Sequence, residues 1–362
     1  MSGYVDAFER LSNPTVNSLS DHPVFSRTAS GRVLAKEPLR FVDVGARGGA
    51  HDVVLPLARH IAVLAFEPDP AGYRDLLNDS SHAARWAKFQ VEPVALGGRS
   101  GVVALHLLAA STNHSLLPPN EPFIRRYDMQ KFEKIGEIEV ATRVLDEFAF
   151  ASVSQGMNLG EFIKLDAQGG EYEILEGAER TVRESALAII CEVEFCEIYR
   201  GQKLFSDVEL FLRERGFSFF GFTHFAARSR KGLDKHNALG RERALWADAV
   251  FFKDPLPGGQ IPLSSFSERQ ITMLSVIAVL MGYFDYALEL NEIVGSDAER
   301  AAMSQLVHDL ARQPAGRALD EVRALAAAVD RDQASAAVVL GKLVDAHRTF
   351  WDYMDIPPHA IR

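Results

Sequence analysis

Cysteine is nearly absent from this chain of 362 residues: Cys191 and Cys196 are the only two. They are too few for a disulfide framework, and no histidine or cysteine pair stands at zinc-finger spacing. Positive charge is also scarce. Lysine and arginine total 39 against 49 acidic residues, a net charge of −10, so no global positive field exists to hold nucleic acid or an anionic membrane. Nucleic acid is not an expected partner. Long apolar runs are missing too. ITMLSVIAVLMGYF, residues 271–284, is too short and interrupted to span a bilayer, and MSGYVDAFERLSNPTVN lacks the basic start and apolar core of a secretory signal. A cytoplasmic protein without a transmembrane segment is expected.

What is present reads as a folded α/β protein. Between about Leu39 and Lys253, short apolar runs alternate with amphipathic segments, and LRFVDVG, IAVLAFEP, FQVEPVAL, EFIKLD and LAIICEVEF are the candidate strands. Their near-continuous hydrophobicity suits parallel strands covered on both faces by helices. In DPAGYRDLLN, Asp69 is a plausible N-cap and Pro70 the first helical residue. Pro56 should shorten or kink the helix expected after the first strand.

Past Lys253 the composition changes. DPLPGGQIP, residues 254–262, holds three prolines and two glycines and reads as a linker. Beyond it, apolar residues recur at three-to-four spacing among Ala, Leu, Arg and Glu. The expected division is a lead-in over 1–38, an α/β domain over 39–255 and an all-helical domain over 263–362. Dimerisation or partner docking through the last part is an expectation that rests on composition alone.

In open α/β sheets the ligand crevice lies at the carboxyl ends of the strands, and three stretches fall there. FVDVGARGGA, residues 41–50, offers Gly45, Gly48 and Gly49 for a tight turn and close ligand approach, but its spacing is not G-x-G-x-x-G. Glu67 of LAFEPDP, about twenty residues on, is placed to accept ribose hydroxyls, or else is a solvated strand-end charge. In FIKLDAQGGEYEIL, residues 162–175, Phe162, Lys164 and Asp166 alternate onto one strand face. Buried charges there need partners, and Glu192 and Glu194 on a neighbouring strand are the expected ones for Lys164. Asp166, at the strand tip, is the functional candidate.

IKLDAQGGEYEILEGAE, residues 163–179, closely resembles the signature of the FkbM-type methyltransferase family. The resemblance extends through FVDVGARGG, AFEPDP, EPVALGG, VLDEFA, CEVEF and WADAVFFK, over about residues 40–253 in order. It implies a Rossmann-like, mostly parallel seven-stranded sheet. It further implies S-adenosylmethionine as methyl donor and an oxygen of a sugar, glycan or related molecule as acceptor. Carried over by position, the methionine end of the cofactor would lie near Asp43, Gly45 and Gly49, the ribose on Glu67, and the adenine near Ala95. Asp166 would meet the cofactor's reactive end. Many members carry asparagine where this chain has Arg47, whose guanidinium either binds the cofactor carboxylate or points into solvent.

An alcohol must lose its proton to attack a sulfonium methyl, so a base is needed. The candidates are Asp166, Glu171, Glu192 and His114. Glu171 also sits in the first turn of a helix, where the dipole favours a carboxylate regardless of chemistry. Asp166 with Glu192 can equally take a divalent metal that acidifies a diol, although no spacing requires one. Two other readings stand beside methyl transfer: a cofactor-binding scaffold, or an enzyme using NAD or a nucleotide sugar. The absence of G-x-G-x-x-G and of a clear Tyr-x-x-x-Lys pair counts against the latter.

Overall fold

In the computed structural model, residues 15–151, 160–230, 242–312, 314–337 and 339–340 are described. The chain builds a seven-stranded sheet from β1 (Leu39–Val44), β2 (Ile61–Phe66), β3 (Lys88–Glu92), β7 (Phe162–Leu165), β8 (Ala188–Glu194), β9 (Ser218–Arg228) and β10 (Arg243–Phe252). The order is β3-β2-β1-β7-β8-β10-β9, and β10 alone runs against the others. The chain runs outward from β1 through β2 to β3 on one side, and from β7 through β8 on the other, where β10 lies inside the edge strand β9. The switch point between β1 and β7 is therefore the expected crevice. β4 (Ala95–Leu96), β5 (Gly101–Leu108) and β6 (Lys134–Arg143) form a separate three-stranded sheet in the order β4-β6-β5.

Each strand face feeds its own core. Phe41, Val63, Phe162, Ile190 and Phe252 point to one side, and Val42, Leu64, Ile163, Ile189 and Phe251 to the other. The second side is covered by the helices Glu171–Glu176, Glu179–Glu184 and Phe205–Arg213. The segment Asp52–His60, where an α-helix was expected, is 3-10 in character and breaks at Leu57. Pro56 removes a donor there and its ring obstructs the preceding turn. The helix Pro70–Asn78 starts as expected, the Asp69 side chain accepting the Ala71 N–H.

The first side is covered by residues from the lead-in and by the C-terminal helices. In Glu268–Leu280, nine consecutive residues, Ile271 to Val279, are buried. A helix apolar all round belongs inside a protein. Leu274, Ile277, Leu290 and Leu306 share one buried cluster with Leu39, Phe41 and Phe162. The 254–262 segment is a loop, as its composition implies, and residues of the helices beyond it share a buried cluster with the sheet. Arg269 fastens them from below, its Nε and Nη2 each 2.9 Å from the buried carboxylate of Glu161. Residues 1–14 of the expected lead-in and residues 341–362 of the expected helical domain lie outside the described residues. No described helix is long and apolar enough to cross a membrane.

Candidate active site

A pocket opens at the switch point, and its floor is the turn after β1. Gly45, at φ +77°, adopts a conformation that L side chains rarely take, and a Cβ there would collide with the Asp166 carbonyl of the neighbouring loop. The N–H groups of Gly45 and Ala46 both donate to the Phe66 carbonyl, 3.2 and 3.1 Å away, which ties the β1 and β2 turns together. Gly49, expected beside a cofactor, does not line the pocket. Its φ is +131°, and the space a side chain would need is filled by the His82 ring.

Glu67 closes the far wall at the end of β2, 4% exposed, with Oε1 accepting the Asp69 N–H at 2.9 Å. Burial raises its carboxyl above the ordinary range, against the opposing pull of that N–H and of Arg47. Arg47 lines the same pocket and does not point free into solvent: Nη1 lies 2.6 Å from Asp69 Oδ2. Burial works to raise Asp69, but the Arg47 hydrogen bond and the Ala71 N–H outweigh it and hold the carboxyl low. Ala95, Leu96, Val94 and Leu105 supply an apolar side wall, brought there by the small second sheet. His114 completes the rim. Its Nδ1 accepts the Leu108 N–H at 3.1 Å, so the proton of the neutral ring sits on Nε2, and burial with Arg47 nearby lowers its affinity for a second proton.

On the β7 side, the partners of Lys164 differ from those expected. Its Nζ lies 3.4 Å from Asp43 Oδ1 and 3.4 Å from Asp166 Oδ2, and 3.3 Å from the carbonyl oxygens of Val44 and Gly45. Glu192 and Glu194 are not in contact with it. The register explains this: Asp43 stands directly beside Lys164 on β1, whereas on β8 its neighbour is Ile190. Burial disfavours the ammonium, but Asp43, Asp166 and Glu192 outweigh that and raise its pKa. Asp43 is thereby committed. It is 1% exposed, its other oxygen accepts the His51 N–H at 2.7 Å, and it does not line the pocket.

Asp166, with its side chain 38% exposed, faces the pocket mouth, and Gln168 links it to Glu192. The Gln168 Nε2 lies 2.7 Å from Asp166 Oδ1 and 2.7 Å from Glu192 Oε2. Burial, with Asp166 and Glu194 close by, pushes the Glu192 carboxyl well above its ordinary pKa. Glu171 is turned inward. Its oxygens accept the N–H groups of Ala167 at 2.6 Å and Gly169 at 3.0 Å, and burial pushes its pKa up to about 7.

Ligand atoms of Asp166, Glu171 and Glu192 come within 4.8 Å of one another. The donors, however, are already engaged by Lys164, by the Gln168 amide and by backbone N–H groups. A divalent cation there would have to displace these partners.

Residues 43–219 match the model of the methyltransferase FkbM domain. That segment belongs to the FkbM methyltransferase family. Among solved structures, the chain is similar to a methyltransferase FkbM from Methylobacillus flagellatus KT, at 14% identity and a TM-score of 0.34, covering 68% of this chain and 58% of that one. It is similar to magnesium protoporphyrin IX methyltransferase from Synechocystis PCC 6803, solved with bound SAM, at 12% identity and a TM-score of 0.30, covering 69% and 91%. It is also similar to 1,6-didemethyltoxoflavin-N1-methyltransferase from Burkholderia thailandensis, at 12% identity and a TM-score of 0.27, covering 70% and 87%. No curated protein matches the chain.

Several residues of the site are brought there by tertiary structure and not by a local motif. Gln168 sits at φ +57°, and its neighbour Gly169 at φ +98° lies against the ring of Tyr199, which comes from beyond β8. Asp248 on β10 stands opposite Glu192, and His224 on β9 opposite Asp248. A polar row thus crosses the sheet from Asp166 outward, built by register between strands far apart in sequence. Only the left-handed Gln-Gly turn had a local signal, in the QGG triplet.

Proposed function

We propose that the FkbM domain transfers the methyl group of S-adenosylmethionine to a hydroxyl oxygen of a sugar, glycan or related small molecule. The observation that carries this reading is the buried carboxylate of Glu67. It faces the Gly45 turn across one pocket whose side wall is apolar and whose mouth holds Asp166. A carboxylate at the end of the second strand suits a ribose diol, the Val94–Leu96 and Leu105 wall suits a flat base, and the Gly45 turn admits the amino-acid end. These features fit the cofactor, which supplies an electrophilic methyl on a sulfonium when bound.

The chain's own residues would then do two things. Gly45, Glu67 and the apolar wall hold the donor so that its reactive end faces Asp166, which converts a bimolecular collision into a positioned encounter. Asp166 and Glu192 take the acceptor proton. Glu192, whose carboxyl burial and the neighbouring Asp166 push well above its ordinary pKa, is the stronger base of the two. His114 is a poor base because its free nitrogen already accepts a backbone N–H, and it suits a donor role at the rim. Glu171 serves the turn, since both of its oxygens accept backbone N–H groups. Asp248 and His224 extend the polar row on the acceptor side.

The acceptor class is tested by mass spectrometry of polysaccharide and lipid from cells with and without the gene. The reading predicts loss of one or more increments of about 14 daltons in the deficient cells.

A further inference from the structure

The Gln168 amide is fully used. Its two N–H groups go to two carboxylates, Asp166 Oδ1 and Glu192 Oε2, at 2.7 Å each, and its oxygen lies 2.8 Å from the Tyr199 hydroxyl. The opposite amide orientation would set the oxygen against both carboxylates, so the phenol's proton selects the one that works. Tyr199 is 1% exposed, and its hydroxyl also lies 3.0 Å from the Asn113 carbonyl, one residue from His114. Its single proton serves one of these two acceptors at a time. The backbone of Gln168 is held as well: its carbonyl accepts Ser115 Oγ at 2.7 Å. A left-handed backbone, two anchors and a buried phenol over-determine one side chain, at a cost that the two carboxylates alone would not explain.

We propose that Gln168 is a positioning residue, turned by Tyr199, that holds the Asp166 and Glu192 carboxyl groups side by side facing the acceptor. This rests on the methyltransferase reading of the site. The physical need is plain. Two carboxyl groups side by side on adjacent strands repel when charged, and each anion is favoured only as far as donors reach it. Lys164 serves Asp166 but is shared with Asp43 and does not contact Glu192. The groups facing the pair come from every neighbouring element: Lys164 on β7, Asp43 on β1, His51 after it, Glu171 on the helix that follows β7, Glu194 on β8, Asp248 on β10, His224 on β9 and Tyr199. None of these donates to both carboxyl groups, whereas Gln168 does. The loop 111–115 lines the cofactor pocket, so the same phenol connects cofactor side and acceptor side.

The test needs no acceptor. The full-length protein, labelled with carbon-13 at its aspartate and glutamate carboxyls, is titrated by NMR, with the Asp166 and Glu192 signals identified through D166N and E192Q. Wild type, Q168L and Y199F are compared, and S-adenosylmethionine binding is measured on each by calorimetry. Losing charge-assisted donors should move the titration of the pair upward by about one pH unit or more in Q168L, roughly tenfold in proton affinity. Y199F should move it in the same direction by less, because the amide keeps its donors but loses the proton that orients it. An unmoved titration in both variants, with cofactor binding intact, overturns the positioning role. Absence of cofactor binding in the wild type would instead overturn the methyltransferase reading, while the carboxyl titration still decides the role of Gln168.

Discussion

Lys164 and Asp43 stand side by side on adjacent parallel strands, 3.4 Å apart, with Asp43 1% exposed. The pair locks the glycine turn after β1 to the loop after β7, because the same ammonium also reaches the Val44 and Gly45 carbonyls and Asp166. Replacing Lys164 with methionine strands a buried carboxylate. The expected cost is about 3–5 kcal/mol in urea unfolding at pH 7. The folded pKa of Lys164 lies above its unfolded value, so its contribution is complete below about pH 10 and fades only as pH rises further. The difference between K164M and wild type should therefore hold constant from pH 6 to 9, and a gap that vanishes within this range contradicts the assignment.

Glu171 behaves in the opposite sense. Its carboxyl is pushed up to about 7 in the folded chain against about 4.3 when unfolded, so the native state binds the extra proton between those values. Stability from this group is lost as pH rises from about 4.5 to 7. A glutamine here carries no charge and keeps one acceptor oxygen for the Ala167 N–H, while its NH2 group faces the Gly169 N–H at a cost that does not change with pH. E171Q should gain on wild type by on the order of 1–3 kcal/mol between pH 5 and pH 8, read from urea midpoints at each pH.

Gly72 offers a separation of stability from binding. A Cβ at this helical position would lie 2.9 Å from Glu67 Cδ and displace the carboxylate. Alanine is favoured over glycine in a helix by up to about 1 kcal/mol. G72A should keep or slightly raise the melting temperature while S-adenosylmethionine affinity falls about tenfold, a loss of roughly 1.4 kcal/mol.

The C-terminal helices are expected to be indispensable. A chain ending at residue 262 would leave Leu39, Phe41 and Phe162 without Leu274, Ile277 and Leu290, which share their buried cluster. Such a chain should fail to fold, as judged by solubility and circular dichroism. The point variant L274A should cost about 2–5 kcal/mol. A soluble, cooperatively folding truncation would restore the division at 254–262 that composition implies.

That division illustrates what the sequence could and could not convey. The runs around β1, β2, β7 and β8 are near-continuously apolar because both faces are covered, and they were legible for that reason. The Asp69–Pro70 helix start is local and was equally plain. Helices 268–280 and 284–291 were readable as helices, but their partner was not. An all-round apolar helix says that it is buried, not against what. The site divides along the same line. Gly45, Arg47, Glu67, Ala95, His114 and Asp166 line one pocket; Gly45, Arg47, Glu67 and Asp166 follow strand ends, whereas His114 comes from a loop that local sequence does not place. Asp43 and Gly49 carry the same local signal but are absorbed by Lys164 and His82, contacts set by register and tertiary packing. Tyr199 is about thirty residues from Gln168 in sequence, and no spacing rule joins them.

The central claim is that the pocket between β1 and β7 binds S-adenosylmethionine through Glu67, and calorimetry on wild type, E67Q and E67A tests it most directly. Binding by the wild type, with affinity at least tenfold weaker in E67A and intermediate in E67Q, is the expected result. Equal affinity in all three, or binding of NAD with none of S-adenosylmethionine, would contradict it.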